Sequence, residues 1–327
     1  MSTDEHEHGV DATWETVVPE FESGTRIDLF LTARFEDQSR AALQRFIRLG
    51  YATVNGAARK PSDTLRAGDR VRLNLPPASA DEMPALNLDL DVLYEDDDIL
   101  VINKPSGLVV HPTRAHTDDT LVNALLARDP ETFRAMMDEE QRPGIVHRLD
   151  KDTSGAMVVA QTPEAWQALK AAFAGRQVEK TYLTVVLGEF GAKTGRFDGP
   201  IGRHPVARKK MTVVRSGGKA ATTLYRVLGT TEGLSLLEVR ILTGRTHQIR
   251  VHFSCEKHPV LGDPLYGGRQ RGLPVRATRL MLHAWKLTIP HPADGVMRQH
   301  MAPPPDDFRQ LLRDARLPDV GSRHELP

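Results

Sequence analysis

The sequence predicts an α+β protein: a mixed, mainly antiparallel β-sheet flanked by helices, with a small α/β domain in front of it. Three observations carry this expectation. Beyond residue 88, strand-like runs recur: EKTYLTVVLGEF, TTLYRVLGTT, SLLEVRILT, HQIRVHF and RLMLHAWKLTIPHP. Helical signals there are fewer and sharply bounded, as in TPEAWQALKAAFAG. PPASADEMPA, residues 76–85, is rich in Pro, Ala and acids and lacks apolar periodicity, so it reads as a linker. The expected organisation is a disordered acidic segment at 1–20, a small domain at 21–75, a linker at 76–88, a main domain at 89–317 and a loose tail at 318–327.

In the small domain, GTRIDLFLTAR carries an apolar helical face. SRAALQRFIRLG places Leu43, Phe46 and Ile47 at helical spacing, with Ser39 as N-cap and Gly50 as stop. YATVNGAARKPSDTL reads as a hairpin turning at Asn55-Gly56, and AGDRVRLNL as a closing strand. The main domain opens with two strand-like runs, Val92 to Tyr94 and Ile99 to Asn103, around the acidic turn 95–98. LVNALLARD reads as a helix. TPEAWQALKAAFAG is capped by Thr162, has Pro163 in its first turn and stops at Gly175. Near the end, Phe308, Leu311, Leu312 and Ala315 recur at helical spacing.

Residues 144–160, GIVHRLDKDTSGAMVVA, hold a charge-dense loop between two apolar runs, which puts Asp150 on a short loop braced by a sheet. In isolation such an Asp is more often a turn residue than a catalyst.

Composition narrows the function classes. At 327 residues, 40% hydrophobic and 26% charged, the chain has an ordinary globular make-up. No apolar run approaches the ~20 residues of a membrane span, and the start is acidic where a signal peptide is basic, so a cytoplasmic protein is expected. The single cysteine, Cys255, excludes an internal disulfide and a Cys-cluster metal site. The net charge of zero hides segregation: residues 1–20 carry six acids and no Lys or Arg, whereas 201–219 carry six Lys and Arg and no acid. A basic face, and with it a nucleic-acid partner, is thus open to a neutral protein. No GxGxxG loop is present, which argues against a nucleotide-cofactor methyltransferase.

Two resemblances sharpen this. Gly24, Arg26, Ile27, Asp28, Ser39-Arg40, Ile47, Gly50, Val54-Asn55-Gly56, Lys60 and Gly68-Asp69 resemble the S4 RNA-binding domain, which implies RNA phosphate contacts from Arg40, Arg45 and Lys60. VLYEDDDILVINKPSGLVVHP, GIVHRLDKDTSGAMVVA, EKTYLTVV, TGRTHQIRVHF and HPVLGDPLYGG, in register across about 89–290, resemble the RluA family of pseudouridine synthases.

The family resemblance implies isomerisation of uridine within an RNA chain. The N1 glycosidic bond is broken and C5 is joined to the sugar, which calls for a carboxylate near C1′ and a base that has left its stack. By motif position, Asp150 is similar to the catalytic aspartate, Arg245 to the basic residue that pairs with it, and Tyr182 to the tyrosine that packs on the base. Ile249 is similar to the aliphatic pocket wall, and Arg148 to the arginine that fills the vacated stack. A salt bridge from Arg148 to Asp152 is the plainer alternative.

Lys104 and the basic run 203–219, including Arg208 and Lys209, are expected to bind phosphates. His147 and His283 are expected to be structural donors. His247 and His252, five apart on an expected strand, point to opposite faces. No metal and no cofactor are implied. The implied partner is ribosomal RNA or a pre-ribosomal large-subunit particle, met by a monomer with no membrane role. Transfer RNA and a non-catalytic ribosome-assembly role are the alternatives.

Overall fold

The computed structural model describes residues 13–35, 40–48, 50–74, 85–112, 116–136, 143–207, 210–267, 270 and 272–320. The chain forms two compact units, Met1–Met83 and Pro84–Pro327.

The first unit contains β1 (Thr13–Val17), α1 (Ile27–Thr32), α2 (Arg40–Arg48), β2 (Ala52–Val54), β3 (Ala57–Ala58) and β4 (Arg70–Asn74). Its sheet has the order β1-β4-β2-β3, antiparallel throughout. Ile27, Phe30 and Leu31 from α1 and Leu43 and Ile47 from α2 are buried against it. The β2–β3 turn is tight because Asn55 (φ 53°) and Gly56 (φ 79°) both take the left-handed conformation that this hairpin needs. Asp28 is fully buried on α1, and Arg26, Arg40 and Gln44 all donate to its carboxylate. Burial alone would raise its pKa, but these donors hold it well below the carboxylate range.

Thr13–Val17, expected to be disordered, is a strand. It pairs with β4 from Thr13↔Asn74 to Val17↔Arg70, and Trp14 meets the Phe35 ring edge-on at 5.0 Å. The acidic composition hid this, because Glu15 is balanced across the pair by Arg70 and Arg72. The Ser39 cap lies outside the described residues, as do residues 76–84, the greater part of the expected 76–88 linker.

The second unit contains β5 (Val92–Glu95), β6 (Ile99–Lys104), α3 (Leu121–Arg128), α4 (Pro130–Ala135), β7 (Ser154–Ala160), α5 (Pro163–Ala174), β8 (Glu179–Leu187) and β9 (Thr194–Asp198). It continues with β10 (Ile201–Arg203), β11 (Met211–Val213), β12 (Thr222–Thr231), β13 (Leu234–Ile241), α6 (Gln248–Cys255), β14 (Leu282–Pro290), β15 (Met297–Met301) and α7 (Asp306–Asp314). Nine strands form one sheet, β5-β6-β7-β14-β8-β13-β12-β9, with β15 also on β14. Among the described strands of this sheet, β7 and β14 pair in parallel and the other pairs are antiparallel. Strands β10 and β11 form a separate hairpin.

Two apolar clusters hold the unit together. One packs Ala165, Leu169 and Ala172 of α5 onto β6 and β7; the other packs Phe308, Leu311 and Leu312 of α7 onto β8 and β13. Helix α5 starts and stops as its sequence directs: the Thr162 hydroxyl accepts from Ala165 N–H at 3.1 Å, Pro163 opens the first turn and Gly175 caps the end.

HQIRVHF, expected to be a strand, is the helix α6. Its Ile-Arg-Val-His-Phe alternation mimics period two, but all six residues from Gln248 to Phe253 are buried, so no polar face reveals the helical period. His247 and His252 therefore do not stand on a strand. The Gln248 side chain secures the start by accepting from Arg245 N–H and from the Thr243 hydroxyl.

His283 joins β14 to the start of β7. It is fully buried, with Nδ1 at 2.9 Å from Ser154 Oγ and Nε2 at 3.0 Å from Ala302 O, so the hydroxyl donates to Nδ1 and Nε2–H donates to the carbonyl. Burial pushes its pKa from 6.5 down to about 4. Between these values the unfolded chain takes a proton that the folded protein refuses, so stability present above 6.5 is lost as pH falls, by about 1.4 kcal/mol per pH unit. Urea unfolding should show the stability gap between wild type and His283→Gln narrowing from pH 6.5 to 4.5. A His283 resonance that titrates near 6.5 in the folded protein would refute this.

Candidate active site

Asp150 sits on the loop between Ile145, which bridges to Val159, and β7. The loop is pinned from two sides. His147 Nε2 accepts from Val158 N–H at 3.0 Å while its ring stacks on Phe173 at 4.6 Å. Burial pushes the His147 pKa to about 3, which keeps Nε2 unprotonated as an acceptor. On the other side, Lys104 Nζ donates to the carbonyls of Pro105 (2.8 Å), Leu108 (2.9 Å) and Lys151 (3.1 Å). Gly107 N–H also donates to Lys151 O, and the Ser106 hydroxyl to Asp152 O. Gly155 completes the frame: a Cβ there would lie 2.2 Å from Ala284 O, so only glycine lets β7 run this close to β14.

The Asp150 carboxylate receives Nη1 of Arg250 at 3.0 Å. The same guanidinium grips Asp263 with two further donors, Nε at 2.7 Å and Nη2 at 2.9 Å. Asp263 is fully buried and accepts backbone N–H groups from Leu265 and Tyr266 as well. Burial alone would lower the Arg250 pKa, but the two carboxylates raise it above its ordinary value. Burial likewise works to raise Asp263, and Arg250 overrides it downward.

His247 Nε2 lies 3.9 Å from Asp150, beyond hydrogen-bond reach. Its Nδ1 meets the Tyr266 hydroxyl at 2.8 Å, whose oxygen also accepts from Met211 N–H at 2.7 Å. Burial pushes His247 below its ordinary pKa, against the pull of Asp150. His247 holds a left-handed backbone (φ 57°), a strained conformation of the kind that collects at functional sites.

These groups open onto a cavity of about 540 Å³, well within the range of ligand pockets. Tyr182 of β8 and Ile249 of α6 form apolar walls, and both side chains are largely buried. Burial, and then the nearby Asp150, raise the Tyr182 hydroxyl pKa, so it stays protonated. Arg148 is exposed at the rim and pairs with no acid among the described residues, so the Asp152 bridge does not form.

Asp150, Tyr182, Ile249, Arg148 and Arg245 are thus brought to one cavity. Two expectations are corrected. The partner of Asp150 is Arg250, not Arg245, whose Nε donates to Ala220 O at 3.1 Å. With a helix starting at Gln248 in place of a strand, the buried arginine is the last of GRTHQIR rather than the first. Lys104 is no phosphate ligand: it is fully buried with three carbonyl acceptors, and burial lowers its pKa to about 7 against the pull of Asp150 and Asp152. In the first unit, Arg40 is engaged with Asp28 and Lys60 is exposed. Arg208, Lys209 and the Arg45 side chain lie outside the described residues.

Sequence reading missed Asp263, Tyr266 and His247 as neighbours of the site. The first two stand in the motif GDPLYGG, whose local sequence gives neither of them a role. Elsewhere, Asp96, Asp98 and His291 group closely enough to hold a cation, but Asp96 already accepts from Tyr94, His291 and two backbone N–H groups. No helix among the described residues is long and apolar enough to cross a membrane.

Residues 98–255 match the family model for RNA pseudouridylate synthase. The chain is 43% identical over 313 residues to "Ribosomal large subunit pseudouridine synthase D" of Xanthomonas campestris, covering 92% of each chain. The chain belongs to the RNA pseudouridylate synthase family. A relative of the same name from Pseudomonas aeruginosa is 43% identical, covering 91% of this chain and 95% of its own. Among solved structures, human RNA pseudouridylate synthase domain containing 1 aligns with a TM-score of 0.54 at 30% identity, covering 72% of this chain and 98% of its own. Membership makes the protein an isomerase that converts uridine to pseudouridine in RNA, and its α+β fold with a mainly antiparallel sheet agrees with that neighbour.

Proposed function

We propose that the protein isomerises uridines of large-subunit ribosomal RNA, with Asp150 as the catalytic carboxylate acting on a nucleotide flipped out of its stack. The observation that carries this is the Asp150–Arg250–Asp263 array at the cavity between Tyr182 and Ile249. The large-subunit substrate is supported by the names of the relatives that match more than nine-tenths of the chain.

A base entering this cavity meets the Tyr182 ring, where stacking contributes roughly 1–3 kcal/mol per base, and Ile249 opposite. Asp150 is held in place at the cavity by the Arg250 guanidinium. It either attacks C1′ as N1 departs or stabilises positive character there. The uracil then turns and C5 bonds to the sugar; C5 gives up its proton and N1 gains one, so the reaction needs no net donor. Arg148, exposed and without an acid partner among the described residues, is placed to fill the stack that the base has left.

A ribosomal RNA substrate implies a cytoplasmic location. Incubating the protein without added cofactor with unmodified large-subunit RNA, then mapping pseudouridine by carbodiimide-blocked primer extension, tests the assignment. Modification of transfer RNA alone would overturn the substrate.

The first unit serves in this reading as an S4-like RNA-binding module, supported by its two short helices on a small sheet and its exposed Arg and Lys side chains. Deleting residues 1–75 is expected to weaken RNA binding by ~10-fold or more at 0.1 M salt, the loss that two phosphate contacts would produce. Equal affinity with and without the segment would sink the module's role.

A further inference from the structure

The cavity carries more positive charge than the proposed chemistry uses. Arg148, Lys170, Arg176, Lys180, Arg245 and Arg250 all line it, against the single carboxylate of Asp150. Arg250 is neutralised by Asp150 and Asp263. The other five form no ion pair among the described residues, whereas Arg226, Arg240, Arg279 and Arg298 elsewhere on this unit each hold an acid. Three of the five, Lys170, Arg176 and Lys180, cluster on the side of the mouth built by α5 and β8.

Two features show that this cluster is maintained against its own cost. Lys180 is lowered below its ordinary pKa by burial and then by the like charge of Arg176. Arg176 itself sits at φ 57°, directly after Gly175 at φ −74°. There Gln177 N–H closes on Ala172 O, the helix ending in which the left-handed position suits glycine. Here the glycine comes one residue early and an arginine takes the strained place, with its side chain at the cavity. The aromatic rings of Trp166 and Phe173 lie under the Lys170 and Lys180 amines at 4.2 Å and 5.8 Å.

We infer that Lys170, Arg176 and Lys180 form a phosphate-binding lip that grips the RNA backbone beside the flipped uridine. This rests on the reading that the cavity takes a nucleotide from an RNA strand. Such a nucleotide keeps its two flanking phosphates outside the mouth, where three unneutralised cations meet them.

The test uses the full-length protein and two probes, a ten-nucleotide oligouridine and an unmodified large-subunit RNA transcript, with Kd measured across a potassium chloride series. Each lost phosphate contact should lower the slope of log K against log salt by about 0.7 on the single strand, which is about five-fold in affinity at 0.1 M salt relative to 1 M. Arg176→Gln should show one such step and the triple Lys170→Gln, Arg176→Gln, Lys180→Gln about two, one for each flanking phosphate. Arg176→Lys should keep the wild-type slope, as should Arg226→Gln, whose charge is paired with Glu238 away from the cavity.

Arg176→Gly separates charge from folding: it relieves the left-handed strain, so its Tm should equal or exceed that of wild type while its RNA affinity falls. An unchanged slope in the triple variant, or a Tm loss in Arg176→Gly matching its loss of binding, would overturn the lip. A slope change on oligouridine in a protein with no preference for the ribosomal transcript would support the lip while refuting the substrate.

Discussion

Asp150→Asn should lower kcat/KM for pseudouridine formation by at least ~10⁴-fold, equivalent to ~5.5 kcal/mol of transition-state stabilisation. The amide is isosteric and its oxygen can still accept from Arg250 Nη1, so the loop keeps its place. What is removed is the negative charge, needed either to bond to C1′ or to balance the cationic character that develops there. The cost to folding should be small, under ~1 kcal/mol, because Arg250 retains both of its bonds to buried Asp263. Single-turnover modification at saturating enzyme, set beside a thermal melt, reads the two effects separately. Asp152→Asn, two residues on, supplies the contrast: Asp152 engages the fold through its backbone carbonyl, so its variant should stay active. More than about 1% residual activity in Asp150→Asn would refute the carboxylate mechanism.

The parts of the molecule legible in the sequence are those whose local signals agree with their tertiary setting. Helix α5 has its cap, its proline and its glycine in order, and β7 reads as a buried strand because all seven of its residues are buried. The Asn55-Gly56 hairpin needs two left-handed residues and has the two that adopt them most readily. Helix α6 was misread because complete burial erases the pattern that distinguishes helix from strand. That error misassigned the ion pair, since the choice between Arg245 and Arg250 depends on the backbone between them. Lys104 was misread for a related reason. A lysine in a polar, glycine-containing stretch looks exposed, and nothing local shows that three carbonyls converge on its amine. Long-range convergence of this kind, like the Met211–Tyr266–His247 chain, has no sequence period to betray it.

Truncating Arg250 to Ala should reduce both stability and activity, for separable reasons. Asp263 would keep its two backbone N–H donors but lose both guanidinium donors, leaving a buried carboxylate without a counter-charge. Breaking a buried pair in this way costs about 3–5 kcal/mol, a fall in Tm of roughly 6–20 °C for a unit of this size. Arg250→Lys should recover only part of it, because one ammonium on a flexible stem cannot reproduce a planar fork that meets three carboxylate oxygens at once. The double replacement Arg250→Leu, Asp263→Leu should regain much of the stability, since it removes both buried charges together. Its activity should nevertheless remain ~10²–10³-fold down, because Asp150 would then have lost the cation that orients it. Urea unfolding and single-turnover rates on the same four proteins decide the matter. A stable and fully active double variant would show that Arg250 acts only as a structural brace.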